Sequence, residues 1–336
     1  MKKTVIKGTG RYVPPRLVTN DDLSEWMDTS NEWIVQRTGI QQRYWVPEEG
    51  GVGVSDLGWE ASKKAMARAG WEPEDIDLII FATLSPDFFF PGSGCLLAHK
   101  LGLTATPALD IRQQCTGFLY GMATADAYIR SSMARRVLLV GAEVHSTGLD
   151  ISTQGRDVTV IFGDGAAAVC LERMETDVKA GILSSCLHAD GSLAESLMTF
   201  APASRENPRL DETMLEQGRH FPTMDGRNIF KNAVRRLPEV AGEALEKAEI
   251  PLEAVDLFIP HQANLRINQA FAKALDLPES KVYNNIQRYG NTTAASIPLA
   301  LDEAIEKGLL GAGSTVMFLG LGAGVTWGAV IYRFTT

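Results

Sequence analysis

The sequence predicts an α/β protein made of two similar halves, each a mixed, largely parallel sheet covered by helices. Three observations carry that reading. An internal repeat runs at a constant offset, each half reads strand–helix–strand, and 45% of the 336 residues are hydrophobic, enough to bury a large core or two fused ones.

The repeat is the clearest of these. Ala65-Met66-Ala67-Arg68-Ala69-Gly70 leads into Pro73-Glu74-Asp75-Ile76-Asp77-Leu78-Ile79-Ile80, as Ala244-Leu245-Glu246-Lys247-Ala248-Glu249 leads into Pro251-Leu252-Glu253-Ala254-Val255-Asp256-Leu257-Phe258-Ile259. Ala65, Ala69, Ile76, Asp77, Leu78 and Ile80 each precede their counterparts by 179 residues. Each copy reads as an amphipathic helix, a short turn and a buried strand. Further on, Cys115–Ser132 reads as an apolar helix before the strand Arg136–Val140. Thr293–Gly308 and Ser314–Leu319 repeat that order in the second half. The polar stretch Arg173–Lys179 marks a boundary, giving halves 1–174 and 175–336. No stretch reads as a flexible linker, so the halves are expected to fuse face to face. Chemistry is expected at the carboxyl ends of the strands, where loops of both halves can meet.

Composition excludes several classes. Charged residues make up 22% and the net charge is −9, which argues against disorder and against a general nucleic-acid binder. No apolar run is long enough to span a bilayer. Met1-Lys2-Lys3-Thr4-Val5-Ile6 runs straight into Gly8-Thr9-Gly10, so it is read as a first strand and not a signal peptide; a cytoplasmic protein is expected. The four cysteines, Cys95, Cys115, Cys170 and Cys186, form no CxxC pair, hence neither a disulfide framework nor a zinc site. Without HExxH or an EF-hand loop, no metal is expected.

Three residues stand out. Cys115 lies in Asp110-Ile111-Arg112-Gln113-Gln114-Cys115-Thr116-Gly117-Phe118, a strand end, a tight turn and a helix start. The positive end of a helix dipole lowers a thiol pKa, so a nucleophile is expected here; the alternative is a buried structural Cys. His261, in Ile259-Pro260-His261-Gln262-Ala263-Asn264, directly follows the repeated strand. The other histidines, His99, His145, His188 and His220, lack that placement and read as structural or surface residues. Asn291, in Tyr289-Gly290-Asn291-Thr292-Thr293, falls near the repeat equivalent of the Cys115 turn, although Gly-Asn before a helix is also an ordinary cap.

Gly320-Leu321-Gly322-Ala323-Gly324-Val325-Thr326-Trp327-Gly328 looks like a dinucleotide loop. No helix, second strand and acidic ribose ligand can follow before Thr336, so its glycines are read as letting backbone N–H groups approach a reacting atom. Phe162-Gly163-Asp164-Gly165-Ala166-Ala167-Ala168 reads as a structural turn.

Taken together, these motifs are similar to those of the 3-oxoacyl-(acyl-carrier-protein) synthase III family of the thiolase superfamily. The resemblance runs nearly end to end. It rests on Asp28-Thr29-Ser30-Asn31-Glu32-Trp33-Ile34 with Arg37-Thr38-Gly39-Ile40, the Cys115 turn, Gly163-Asp164-Gly165-Ala166, Pro260-His261-Gln262-Ala263-Asn264, Gly290-Asn291-Thr292 and Thr326-Trp327-Gly328.

It implies a five-layer αβαβα fold with two mixed sheets, a homodimer, and a Cys115–His261–Asn291 site. Cys115 would take an acyl group from acyl-CoA, with the N–H groups of Cys115 and Ala323 holding the oxyanion. His261 and Asn291 would stabilise the enolate left when malonyl-CoA or a malonyl-acyl carrier protein loses carbon dioxide. Trp33 would stack on the adenine of CoA near Arg37 and Arg156, and Gly226 and Asn264 would line the pantetheine tunnel. Phe90 would reach the partner subunit's acyl pocket; the other reading of Phe90 is core packing. Lys231, Arg235, Arg266 and Lys273 would form a patch for an acidic carrier protein, or simply a solvated face. No cofactor beyond the CoA thioester substrates, no nucleic acid and no membrane are implied.

Two departures from the family pattern bear on this. Ala323 replaces a common Gly, which leaves its N–H usable. The stretch from Ala201 to Met224 is longer than in fatty-acid starters and is similar to secondary-metabolism relatives, including quinolone-pathway condensing enzymes that accept aromatic acyl groups. The expected activity is therefore a decarboxylative Claisen condensation that initiates fatty-acid synthesis. The alternatives are a secondary-metabolite enzyme with a medium-chain or aromatic primer, or a non-catalytic partner that binds a carrier protein. A degradative thiolase would carry a late second Cys, and no Cys follows Cys186.

Overall fold

The structure, a computed structural model, describes residues 1–335. The first sheet holds strands β1 (Lys2–Tyr12), β2 (Leu78–Ala82), β3 (Ala108–Ile111), β4 (Arg136–Glu143) and β5 (Gly165–Glu175), in the order β1-β5-β4-β2-β3. The second holds β6 (Gly181–Ala189), β7 (Leu257–Pro260), β8 (Thr315–Gly322) and β9 (Thr326–Arg333), in the order β7-β8-β9-β6. The pairings match one for one. β2 and β4 are parallel, as are β7 and β8; β4–β5 and β8–β9 are antiparallel, as are β5–β1 and β9–β6. Even β3, the extra strand of the first sheet, has a trace in the second, where Val282 bridges Phe258 in parallel. The chain crosses from one sheet to the other between Glu175 and Gly181.

The strands form because both of their faces are buried. Leu78-Ile79-Ile80-Phe81-Ala82 is apolar throughout, as a strand covered on two sides requires. Leu78 and Ile80 point to a central core with Leu257, Ile259, Val316 and Phe318 of the second sheet. Ile79 and Phe81 point away, toward helix α1 (Val54–Ala69). Between the sheets lie α2 (Gly117–Arg130) and α4 (Ser296–Glu306), whose Phe118, Met122, Ile297 and Leu301 fill the central core. Helix α3 (Gly226–Ala248) covers the outer face of the second sheet. The result is the five-layer αβαβα order that the family resemblance implies.

The first strand outruns its expected end at Ile6. It bulges between Ile6 and Gly8 and continues to Tyr12 along β5. A ladder of pairing overrides the glycines as breaks. Among the described residues no helix is long and apolar enough to cross a membrane.

The halves are also joined by polar bonds. Asp302 on α4 is buried and accepts from Thr9 Oγ1 at 2.6 Å and Arg11 Nη1 at 2.5 Å on β1, and from Arg68 of α1. Replacing Asp302 with Ala removes their buried acceptor, although Glu306 still pairs with both guanidiniums. Both guanidiniums still reach water, so the expected loss is at the low end for a broken buried pair, roughly 3 kcal/mol, read as a lower urea midpoint.

Candidate active site

Cys115 sits in a 3-10 turn (Gln114–Thr116) between β3 and α2, and is 5% exposed. Its counterpart, the turn Thr293–Ala295, leads into α4 and touches the Cys115 turn directly. The glycine-rich end of β8 completes the junction. At Gly320 a Cβ would lie 3.1 Å from His261 Cβ and 3.7 Å from the Cys115 carbonyl, so this glycine lets His261 and the Cys115 turn approach from two sides. At Gly322 a Cβ would lie 2.7 Å from Cys115 Sγ, inside contact distance. A side chain there would occupy the sulfur's own space. The glycines thus bring the end of β8 against the Cys115 sulfur.

The thiol does not behave as the sequence predicted. Helix α2 does begin two residues after Cys115, yet burial pushes the thiol up to about 12, and the nearby Glu143 carboxylate adds to the rise. The N–H groups of Ala323 and of Cys115 itself, both bonded to the sulfur, pull the other way and lose. Desolvation outweighs the helix terminus because the thiolate has no water.

His261 Nδ1 lies 2.6 Å from Ser296 Oγ, and the His261 N–H donates to Leu319 O at 2.7 Å. Nε2 is buried without a hydrogen-bond partner. Burial pulls the ring down to about 3, with His145 adding to the effect, so the imidazole is neutral. Asn291 is 5% exposed; its Oδ1 accepts from Thr293 N–H at 2.9 Å, which leaves the Nδ2 hydrogens as the group it can offer.

A cavity of about 680 Å³ opens onto Cys115 and is lined also by Ala323, Thr293, Leu84, Ser85 and Phe89. Two histidines assigned to structure or surface, His145 and His220, line it as well. His145 Nε2 lies 2.7 Å from Thr293 Oγ1, its ring stacks on Phe162, and burial holds it down to about 3. The signal was available, since His145 follows the end of β4 much as His261 follows β7. Glu143, also missed, is fully buried behind the same turn. Asp164, read as part of a structural turn, accepts from the N–H groups of Val46, His145 and Ser146 at 2.6–3.0 Å and so fixes the His145 loop.

The remaining candidates lie elsewhere. The Arg37 and Arg156 guanidiniums lie 4.2 and 5.1 Å from the centre of the Trp33 ring. Asn264 caps helix α5 (Leu265–Ala274) and donates to Arg37 O at 3.0 Å. Gly226 is the exposed first residue of α3. Lys231, Arg235, Arg266 and Lys273 are exposed on the adjacent helices α3 and α5. Core packing is excluded for Phe90, which is 80% exposed; its neighbour Phe89 reaches the cavity instead. The 201–224 stretch folds as a hairpin arm against the cavity, to which it contributes Ala201, Pro202, His220 and Pro222.

A duplicated five-layer fold of this kind defines a thiolase-like condensing enzyme. The family described as 3-oxoacyl-[acyl-carrier-protein (ACP)] synthase III matches residues 109–191, and its C-terminal domain matches 245–334. A solved 3-oxoacyl-[acyl-carrier-protein] synthase III from Aquifex aeolicus VF5 shares 42% identity over 98% of this chain and 100% of its own, with a TM-score of 0.88. The synthase III of Thermus thermophilus shares 38% over 98% and 99%, with a TM-score of 0.90. The priming β-ketosynthase of the R1128 polyketide pathway shares 31% over 99% and 96%, with a TM-score of 0.89. The chain belongs to the 3-oxoacyl-(acyl-carrier-protein) synthase III family and is an acyltransferase of the condensing type.

Gly322→Ala should force Cys115 and its sulfur out of place, since the added Cβ would lie 2.4 Å from Cys115 Cβ. Transfer of an acyl group to Cys115, followed by intact mass, is expected to slow by about 10²-fold, the typical cost of an ångström-scale misplacement.

Proposed function

We propose that the enzyme loads an acyl group from acyl-CoA onto Cys115 and condenses it with a malonyl thioester carried by acyl carrier protein. The observations that support the proposal are a buried thiol that lines the cavity beside Ala323, and a neutral His261 with an unpartnered Nε2 that packs, like the thiol, against the glycine-rich end of β8. Cys115 Sγ attacks the thioester carbonyl, and the N–H groups of Cys115 and Ala323 hold the oxyanion. The sulfur's proton leaves with the CoA thiol. The thiol pKa is high at rest, so deprotonation accompanies attack.

The second substrate then loses carbon dioxide, and the electron pair moves onto the thioester oxygen as an enolate. Ser296 Oγ accepts from Gln262 N–H at 3.4 Å and turns its own hydrogen to His261 Nδ1, which places the ring proton on Nε2. His261 Nε2–H and Asn291 Nδ2–H are the donors for the enolate. Its carbon attacks the acyl-Cys115 carbonyl, and the Cys115 thiolate leaves and takes a proton from water.

Trp33 receives the adenine of CoA. Both guanidiniums lie over its ring, so stacking displaces one of them and frees it for phosphate. Gly226 and Asn264 border the pantetheine arm. Lys231, Arg235, Arg266 and Lys273 receive the acidic carrier protein. The halves 1–174 and 175–336 supply the nucleophile and the donors respectively. The protein works in the cytoplasm as a homodimer. Phe88, Phe89 and Phe90, exposed by 59, 60 and 80%, are the apolar surface a partner covers, with Phe90 entering the partner's acyl pocket.

Initiation of fatty-acid synthesis is the leading assignment. A medium-chain or aromatic primer in a secondary pathway is favoured by the cavity contacts of the 201–224 arm. A non-catalytic role would not require Cys115, His261 and Asn291 all to be present.

Exposure to a panel of acyl-CoA esters, read as mass on Cys115, should give acylation that Cys115→Ala abolishes. A preference for aromatic or medium-chain esters selects the secondary pathway. His261→Ala or Asn291→Ala should slow malonyl decarboxylation by about 10²–10³ while acylation persists. With its pKa near 3, His261 stays neutral and keeps its donor. Decarboxylation should therefore show no inflection at the ordinary histidine value of 6.5 between about pH 5.5 and 8.

A further inference from the structure

The constant offset reaches into the site itself. It aligns Gln114-Cys115-Thr116-Gly117 with Thr293-Ala294-Ala295-Ser296, Ala82 with His261, Gly141 with Gly320, and Glu143 with Gly322. The geometry follows the alignment. Gln114 and Thr293 open their turns at φ of +44° and +47°, a left-handed conformation costly for any side chain and most for a β-branched one. Gly320 gives way to the Cys115 carbonyl, and Gly141 to the Ala294 carbonyl, which an added Cβ would approach to 2.4 Å. A Cβ at Gly117 would meet those of Ala82 and Ala294 at 3.1 and 3.2 Å, where its counterpart Ser296 meets the His261 ring. The fold therefore builds two elbows across a pseudo-dyad. One carries Cys115 and His261; the other carries Ala294 and Ala82 and has no nucleophile.

What fills the second elbow is a carboxyl group. Where the working copy has Gly322, clearing space beside the sulfur, the duplicate has Glu143. Its carboxylate accepts from Ser85 Oγ at 2.6 Å, Thr83 Oγ1 at 3.1 Å, the N–H groups of Leu84 and Ser85 at 3.1–3.2 Å, and Ala294 N–H at 3.4 Å. Ala294 N–H is the counterpart of the Cys115 N–H, so a resident carboxylate stands where the working copy would stabilise a transient oxyanion.

We propose that Glu143 is a positioning residue for the condensation: from the degenerate oxyanion pocket it holds the Asn291–Ala294 turn so that Asn291 presents its amide donors to the enolate. Thr293 is kept left-handed by three bonds in series: its N–H on Asn291 Oδ1, its hydroxyl on His145, and the next N–H on Glu143. Release of the last lets Thr293 relax, and its N–H swings off the Asn291 oxygen. The inference rests on the proposed role of Asn291.

The test compares half-reactions. Glu143→Gln keeps the volume and removes the charge and half the acceptors. Loss of a negative charge beside Cys115 does not hinder ionisation of the thiol. Acylation by acyl-CoA should stay within about threefold of wild type, and decarboxylation of malonyl thioester should fall tenfold or more. In an Asn291→Ala background the same change should add nothing, because both act through one amide. Amide hydrogen exchange of the 291–295 peptide should speed up in Glu143→Gln. Equal slowing of both steps, additivity with Asn291→Ala, or unchanged exchange overturns the proposal. Should Glu143→Gln fail to fold, Ser85→Ala removes the 2.6 Å bond to Glu143, together with the bond that Ser85 Oγ accepts from Val144 N–H, and must show the same selectivity, at about two- to threefold; its absence is equally fatal. A wild-type enzyme without decarboxylase activity would refute the proposed function, and the exchange measurement would still decide the role of Glu143.

Discussion

The site depends on a single steric condition: at the seam between the halves, backbone must lie against backbone. Cys115, on a turn of the first half, comes under the end of β8 because Gly320 and Gly322 put no atoms between them. An imagined Cβ at Gly322 would come within 2.4 Å of Cys115 Cβ and 2.7 Å of Sγ, which leaves no slack for even a methyl group. Everything else at the seam follows from that closeness. The Ala323 N–H can reach the sulfur, His261 can share a wall with the Cys115 turn, and the thiol is almost wholly buried. A looser seam would wet the site and blunt each fixed donor, because dipoles act strongly only where nothing competes with them.

Dryness sets the charge state. Cys115 and both buried histidines are driven to their neutral forms by the same loss of water. A neutral imidazole is the right partner for a developing enolate, since it donates a proton bond without offering a proton to be taken. Glu143 is the exception that the rule explains. Burial alone would neutralise it, but donors from Thr83, Leu84, Ser85 and Ala294 oppose that, and its pKa settles near 7. Near neutral pH Glu143 is therefore only partly ionised, and the surrounding donors favour its charged form.

Much of this was legible in the sequence. The layers and strand pairings follow from the repeat, because a duplicated run such as Leu78–Ile80 and Leu257–Ile259 folds the same way twice. Cys115 and His261 were found by their place at strand ends. The sign of the thiol shift was not, since a helix terminus is visible in sequence and burial depth is not. Glu143 was hidden for a related reason: its donors come from residues around 83–85 and from Ala294, which no local pattern links to a strand-terminal Glu. Trp33, Arg37 and Arg156 share an aromatic–cation cluster drawn from segments over a hundred residues apart, so only the family resemblance could single them out.

Duplication explains why such a site can exist at all. Two equivalent halves docked across a pseudo-dyad necessarily create two equivalent elbows, each with a left-handed residue, a short turn and an inward N–H. Catalysis needs one of them open and charged only in passing. Stability needs the strained turns held. The chain meets both demands by letting the copies diverge at four aligned places: Cys115 against Ala294, His261 against Ala82, Ser296 against Gly117, and Gly322 against Glu143. In the first copy the glycine leaves a vacancy that a substrate carbonyl can enter. In the second, Glu143 stands in that place and accepts from the N–H of Ala294 on the neighbouring turn. The asymmetry of function is thus written in side chains, on a backbone that remains close to symmetric.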